Sequence, residues 1–376
     1  MSRFETRKAV TAQSNPQQAV AELAAQTGSD GLAAMIFFCS PDYDLDQLGD
    51  ALAQTYSCPL IGCTSAGEII SPDGYRSGGI VAVGLCSDEI MVHPHLISEL
   101  DRFDALRCHE LTATLQNELT LGKQFDAERM FGFLLIDGLS MLEEQVVATL
   151  HGSLEGVSLF GGSAGDNLNF RQTHVYHAGR FHSGAALFTL FETTLPFRIF
   201  RIQHFEPSDT RLVITEADGP SRTVHEINGE PAAEEYARAV GLEVSELNPQ
   251  IFAAYPVMLR IGGEYFVRSI QKVNDDGSLT FFCAIDSGLV LTVARGTHLL
   301  ENLRENLAKL RDEVPNLKLL LGCDCILRRL ELQQKGLLDE ATPILADADF
   351  VGFSTYGEQF NGIHVNQTLT GLALGS

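Results

Sequence analysis

Three stretches of this chain follow one plan: a strand of buried type, a helix, a second short apolar strand, and a turn bracketed by glycines and closed by an acid. The turns read Ile61-Gly-Cys-Thr-Ser-Ala-Gly-Glu68, Phe160-Gly-Gly-Ser-Ala-Gly-Asp166 and Val351-Gly-Phe-Ser-Thr-Tyr-Gly-Glu358. Glycine and small residues let backbone approach closely, so a ligand is expected there. The candidates are Gly67 and Glu68 in the first turn, Gly165, Asp166 and Asn167 in the second, and Tyr356, Gly357 and Glu358 in the third. A repeat of this kind constrains the fold more than any single motif does. Gly67 to Gly165 is 98 residues and Gly165 to Gly357 is 192, close to twice that. A decayed fourth copy is therefore expected at Ile261-Gly-Gly-Glu264, unless the glycines merely turn a β-hairpin.

Each turn is followed by sequence that reads as consecutive antiparallel strands, so neither a pure Rossmann sheet nor an all-β barrel fits. The expected class is mixed α/β (α+β): two related α/β sandwich domains built from repeated strand-helix-strand-turn-hairpin units. An N-terminal helical segment, 1–30, precedes a first domain, 31–206, and a second, 220–376. The boundary is placed in the polar stretch Pro207 to Gly219, and a loop around Gly122 separates the first two repeats.

The 376 residues carry a formal charge of −23, which repels nucleic acid and anionic membranes. The eight cysteines lie mostly in apolar stretches and form no CxxC pair, so reduced thiols are expected rather than disulfides or zinc. No signal peptide and no membrane-spanning run is apparent, and the expected location is cytoplasmic.

Five motifs could carry chemistry. Gly161-Gly-Ser163-Ala-Gly165 matches a serine-hydrolase elbow, but Asp166-Asn-Leu-Asn-Phe170 after it is turn sequence where an elbow needs a helix. The segment His174-Val-Tyr-His177-Ala-Gly-Arg-Phe-His182 places His177 and His182 on one face of a hairpin, either directly opposed or diagonal. Such a pair suits a metal or haem iron; a solvent-facing hairpin is the plain alternative. In the last strand His364, Asn366 and Thr368 alternate onto one polar face, a cavity wall or an edge facing water. Cys323 and Cys325 flank a helix start, where a thiolate is favoured, and Arg268 could pair with a carboxylate.

These motifs together resemble the FIST family, sensory proteins made of an N-terminal and a C-terminal FIST domain. The resemblance rests on Gly62-Cys-Thr-Ser-Ala-Gly-Glu68, Gly161-Gly-Ser-Ala-Gly-Asp166, Gly263-Glu-Tyr-Phe-Val-Arg268, and Gly357-Glu358 with His364 to Thr368. It covers roughly Leu32 to Leu374. Within the family the chain is similar to the NosP branch through Phe37 to Asp44, His174 to His182 and Leu321 to Cys325. That resemblance implies haem b, nitric oxide as the signal, and a partner histidine kinase in biofilm and cyclic-di-GMP control, with a homodimer left open. The iron-ligand candidates are His182, then His177, His364 and Cys323. The rival expectation is a haem-free module holding an amino acid near Arg268, Glu358 and Asn366; a hydrolase using Ser163 comes third.

Overall fold

The computed structural model describes residues 4–119, 126–154 and 156–376; the loop expected around Gly122 lies outside them. Each repeat opens with a near-continuous apolar strand, Ala34–Cys39, Met130–Ile136 or Leu319–Cys325, buried along its whole length. A strand apolar on both faces needs cover on both, and parallel pairing through a crossover helix supplies one of them. The helices are Leu45–Thr55, Glu143–Ser153, and in the third repeat Ile326–Gln334 with Leu338–Asp347. Each opening strand then pairs in parallel with the strand before its turn, Leu60–Thr64, Ser158–Ser163 or Phe350–Thr355. Side-chain alternation does the sorting. Met35 and Phe37 pack against helices, while Ile36 and Phe38 face a core shared by all three repeats. In that core Phe38 stacks on Phe353 at 4.2 Å and Phe133 on Phe160 at 4.6 Å.

After its turn each repeat sends a hairpin into the sheet of another. Glu68–Ile70 pairs beside Phe350–Thr355, Val175–His177 beside Leu60–Thr64, and Glu358–Phe360 beside Ser158–Ser163. The next strand returns antiparallel to its own opening strand, as Ile80–Cys86, Ala186–Thr193 or Leu369–Leu374. Two repeats continue into the following sheet, Ile90–Ile97 beside Ala186–Thr193 and Phe197–Ile202 beside Leu369–Leu374. Glu5–Thr11 fills the same place beside Ile80–Cys86, which makes it a strand within the segment expected to be helical. Three six-stranded sheets thus close into one body around the common core.

Between the second and third repeats lies an eight-stranded antiparallel sheet with its own core. It includes Phe205–Asp218, so the polar stretch expected to be a linker is a long, mostly exposed strand that buries Phe205, Leu212 and Ile214. The expected fourth repeat is here too, and it is not a repeat. Val257–Ile261 and Glu264–Arg268 form a hairpin turning at Gly262 and Gly263, both at positive φ with open space around them. The mixed α/β class is the one expected: among the described residues, nine α-helices and four sheets form two domains, a three-repeat body and an inserted sheet domain. No described helix is long and apolar enough to cross a membrane.

Candidate functional site

The three glycine turns meet at the centre of the body. Gly165 N–H donates to Thr64 O (3.0 Å), Ala66 N–H to Ser354 O (3.0 Å), Ser354 N–H to Gly67 O (2.7 Å) and Ser163 N–H to Gly357 O (2.8 Å). Glycine is needed for this closeness: a Cβ on Gly165 would stand 2.7 Å from the Ala66 nitrogen, and one on Gly67 would strike the Arg329 guanidinium. The turns therefore bind each other, and the ligand is sought beside them.

The acids that close the turns have two environments. Glu68 accepts from Ser65 Oγ at 2.6 Å, and Glu358 accepts from the hydroxyls of Thr355 and Thr368, the latter at 2.7 Å. Both are buried, and burial pushes Glu68 up to about 7 and Glu358 up to about 8 against the pull of those hydroxyls. Asp166 instead accepts the backbone N–H groups of Phe170, Arg171 and Gln172 at 2.7–3.1 Å. It is the organiser of a loop that contains Asn167.

Next to the third turn, buried polar atoms collect without partners. The hairpin strand Ile363–Val365 lies against Glu264–Arg268 of the inserted sheet, and Arg268 Nη1 donates to His364 O at 2.7 Å. Ser269 N–H reaches Asn366 Oδ1 at 3.3 Å. Gln359 Nε2 donates to Ser163 Oγ at 3.0 Å and contacts His364 Nδ1 at 3.2 Å. An amide nitrogen only donates, so Nδ1 accepts and the ring proton sits on Nε2. Among the described residues, the His364 Nε2, Asn366 Nδ2, Arg268 Nε, Ser269 Oγ and Gln359 Oε1 atoms are buried and make no hydrogen bond. A Cβ on Gly357 would lie 2.6 Å from His364 Nε2 and 3.2 Å from Asn366 Nδ2, so both donors gather over that glycine. Five orphaned polar atoms on residues that touch one another, buried at the junction of body and inserted sheet (the chamber), are costly unless a bound molecule satisfies them.

The charge around the chamber is arranged. Arg222 of the inserted sheet, at φ 53, donates to Glu143 and Glu144 at the start of Glu143–Ser153, at 2.5 and 2.6 Å. Glu144 also accepts the Ala284 N–H, and Arg222 Nη1 reaches Phe282 O. Burial pushes His364 down to about 4, with Glu144 and a weak contact to the Phe282 backbone opposing and Arg222 and Arg268 assisting, so the ring is neutral. What remains is three donors, one of them cationic, and two acceptors: a set suited to a carboxylate beside an amine.

Of the expected residues, Arg268, Gly357, His364 and Asn366 come together here, with Glu358, Thr368 and Tyr356 immediately behind. Gln367 stands at φ 51 and breaks the expected continuous strand, so Thr368 turns to Glu358 instead of joining the face of His364 and Asn366. Ser163 is buried, and its hydroxyl meets an amide instead of a base. Sequence reasoning did not find Ser269, Gln359 or the Arg222 clamp; only Gln359, beside the third turn, carried a usable signal.

The histidine hairpin lies on another sheet. Its register is His177↔Arg180 and Val175↔His182, so the two histidines are diagonal neighbours on one face, turning at Ala178 and Gly179. His177 edges a groove of about 250 Å³ lined by Ala53, Tyr56, Pro59, Leu60, Pro94 and Tyr176. Burial, then His182 and His95, hold its imidazole below the usual range and hence neutral. An apolar wall with a neutral imidazole fits haem in chemistry, but the groove is smaller than the ~300–1,000 Å³ of enclosing sites and covers only part of a macrocycle. Cys323 does not fit: it is buried in the shared core, and burial, then Glu358, raises its thiol well above the usual range. Cys325 is raised likewise, so the expected helix-terminal thiolate is absent.

The FIST N domain matches residues 33–230 and the FIST C domain residues 232–361. No curated protein matches the chain.

Proposed function

Since the chain belongs to the FIST family through both of its domains, whose members are sensory modules that bind small ligands in signal transduction, we propose that it is a small-ligand sensor with its site in the chamber between body and inserted sheet. One observation carries this reading: the unpartnered donors of Arg268, His364 and Asn366, all buried. The ligand class is a small carboxylate-bearing molecule, and an amino acid suits the set best. Its carboxylate would take the three donors, and its ammonium the Gln359 Oε1 and Ser269 hydroxyl. Arg268 and Ser269 belong to the inserted sheet and the others to the body. A ligand touching both favours one arrangement of the two domains, which is how occupancy becomes a signal.

A thermal-shift screen of the twenty amino acids and simple dicarboxylates tests it. A true ligand at a hundred times its Kd stabilises by about 2.7 kcal/mol. A screen in which none stabilises, or in which Arg268→Ala responds like the unaltered chain, overturns the reading.

The groove beside His177 favours a second reading, a NosP-like haem sensor of nitric oxide that acts on a histidine kinase. Haem b would supply the iron that binds nitric oxide. His177, ahead of His182, would hold it, and the apolar wall of Tyr56, Leu60 and Tyr176 would cover one face. Protein reconstituted with haem should then show a stoichiometric Soret band that moves in His177→Ala; no band at one equivalent removes this reading.

A further inference from the structure

Two repeats pass directly from the acid of the turn into the hairpin, since Glu68 and Glu358 are the first residues of Glu68–Ile70 and Glu358–Phe360. The second repeat inserts residues 167–174 between Asp166 and Val175–His177. In this insertion Asn167, Leu168 and Phe170 have φ of 57°, 64° and 50°. Side chains such as Leu and Phe rarely adopt that left-handed region, so something must hold them. The holder is a pair of side chains from two repeats. Asp166 accepts the N–H groups of Phe170, Arg171 and Gln172. The Tyr356 hydroxyl donates to Asp166 and accepts the N–H groups of Asp166 (3.2 Å) and Leu168 (2.8 Å).

The loop covers a particular place. The Phe170 ring lies 4.9 Å from that of Tyr356 and 6.2 Å from that of Phe282, though Phe170 is 40% and Leu168 37% exposed. Tyr356 immediately precedes Gly357, which His364 and Asn366 face, and Phe282 precedes Cys283, a buried thiol on the near side of the inserted sheet's core that feels Arg268, Glu144 and Arg222. Phe170, partly exposed, thus packs on two rings whose chain neighbours, Gly357 and Cys283, lie beside the orphaned donors.

We propose that residues 167–170 are a lid over the chamber, latched by Asp166 and Tyr356, which opens to admit the ligand. The proposal rests on the chamber being the ligand site. Because the closed form holds Leu168 and Phe170 in a disfavoured backbone region, opening relieves them, and closed and open forms stay near enough in energy for a ligand to shift the balance.

Cys283 reports the lid without any ligand. The full chain is treated with iodoacetamide and its labelling followed by peptide mass spectrometry, with Cys39 and Cys63 of the buried body as internal references. Asp166→Asn and Tyr356→Phe should each raise Cys283 labelling about tenfold over the references, the factor that goes with one lost buried hydrogen bond. Leu168→Gly should slow it about fivefold, because glycine accepts the left-handed conformation of the closed loop. Tyr356→Phe keeps the ring packing and serves if Asp166→Asn folds poorly. Labelling of Cys283 that is unchanged in the latch variants, or that rises only in step with Cys39 and Cys63, overturns the lid. So does a selective rise in Arg201→Ala alone, whose guanidinium lies 4.4 Å from the Phe266 ring and pairs with Glu264. Ligand stabilisation without latch-dependent labelling sinks the lid but leaves the site; latch-dependent labelling without a ligand does the reverse.

Discussion

The hairpins of the second and third repeats are the same element in two settings. At the centre of one, Tyr176 pairs with Phe181; at the centre of the other, Gln359 pairs with His364. The first repeat has Ile69 opposite Tyr75, so the third alone carries a fully polar pair. The second hairpin ends its sheet beside an open groove, and the third is sealed under the inserted sheet. A polar pair under cover is expensive without partners, whereas aromatic residues at an edge are not. The repeat whose hairpin is covered is therefore the one whose side chains call for a ligand.

The seal can be broken from its far side. Arg222 joins the inserted sheet to Glu143, itself buried and pushed up to about 7 by that burial against the pull of the guanidinium. Arg222→Ala strands that carboxylate and its neighbour Glu144. The loss of one partner of a buried pair costs about 3–5 kcal/mol. Urea unfolding should show this as the largest effect of any substitution at the domain junction. A loss below about 1 kcal/mol, the worth of an exposed pair, would mean that the clamp does not hold the cover down.

The acid under the sealed hairpin gives a pH signature. Glu358 keeps its proton in the folded chain up to about 8, while the unfolded chain releases it near the ordinary 4.5. Between those values the folded state binds more protons, so stability falls as pH rises, by about 1.4 kcal/mol per pH unit for one proton. Glu358→Gln imitates the protonated acid and removes that slope. Urea midpoints across roughly pH 6 to 8 should fall less steeply in the variant, and parallel profiles would show that Glu358 is ionised in the folded state.

Much of this arrangement was legible in the sequence because the repeat is local. Strand, helix, strand, turn and acid follow one another, and three of three copies were visible. Two features were not. The exchange of hairpins between sheets is a long-range pairing that leaves the local pattern unchanged, and the glycine spacing suggested a fourth copy where Gly262 and Gly263 only reverse a hairpin. For the site, Arg268, His364 and Asn366 were named from charge and alternation. Their convergence depends on a sheet inserted between them and on Gln367 turning the chain, neither of which has a periodic signal. Arg222 was invisible for the same reason: its partners lie 78 and 79 residues away.

The comparison can be sharpened by exchanging its terms. Gln359→Tyr with His364→Phe gives the sealed hairpin the central pair of the open one. Removing the unpartnered Gln359 Oε1 and His364 Nε2 offsets the hydrogen bond lost to Ser163, so the ligand-free chain should change in stability by no more than about 1 kcal/mol. It should also abolish the thermal shift produced by any amino acid that binds the unaltered chain. A double variant that loses stability and keeps the shift would place the ligand elsewhere.

The smallest effect is expected at the open hairpin. The His177 side chain is half-buried and makes no hydrogen bond among the described residues, with a neutral ring at the groove edge. Truncating a side chain away from core, cap or buried charge usually changes stability by no more than about 0.5 kcal/mol. His177→Ala should therefore unfold with the unaltered chain when no haem is supplied. A larger loss would mean that the groove is packed as core and not left open for a ligand. With haem supplied the same variant separates the two regions: a changed absorption band assigns a function to the open hairpin, and an unchanged spectrum leaves the sealed one as the site that has to explain the sensor.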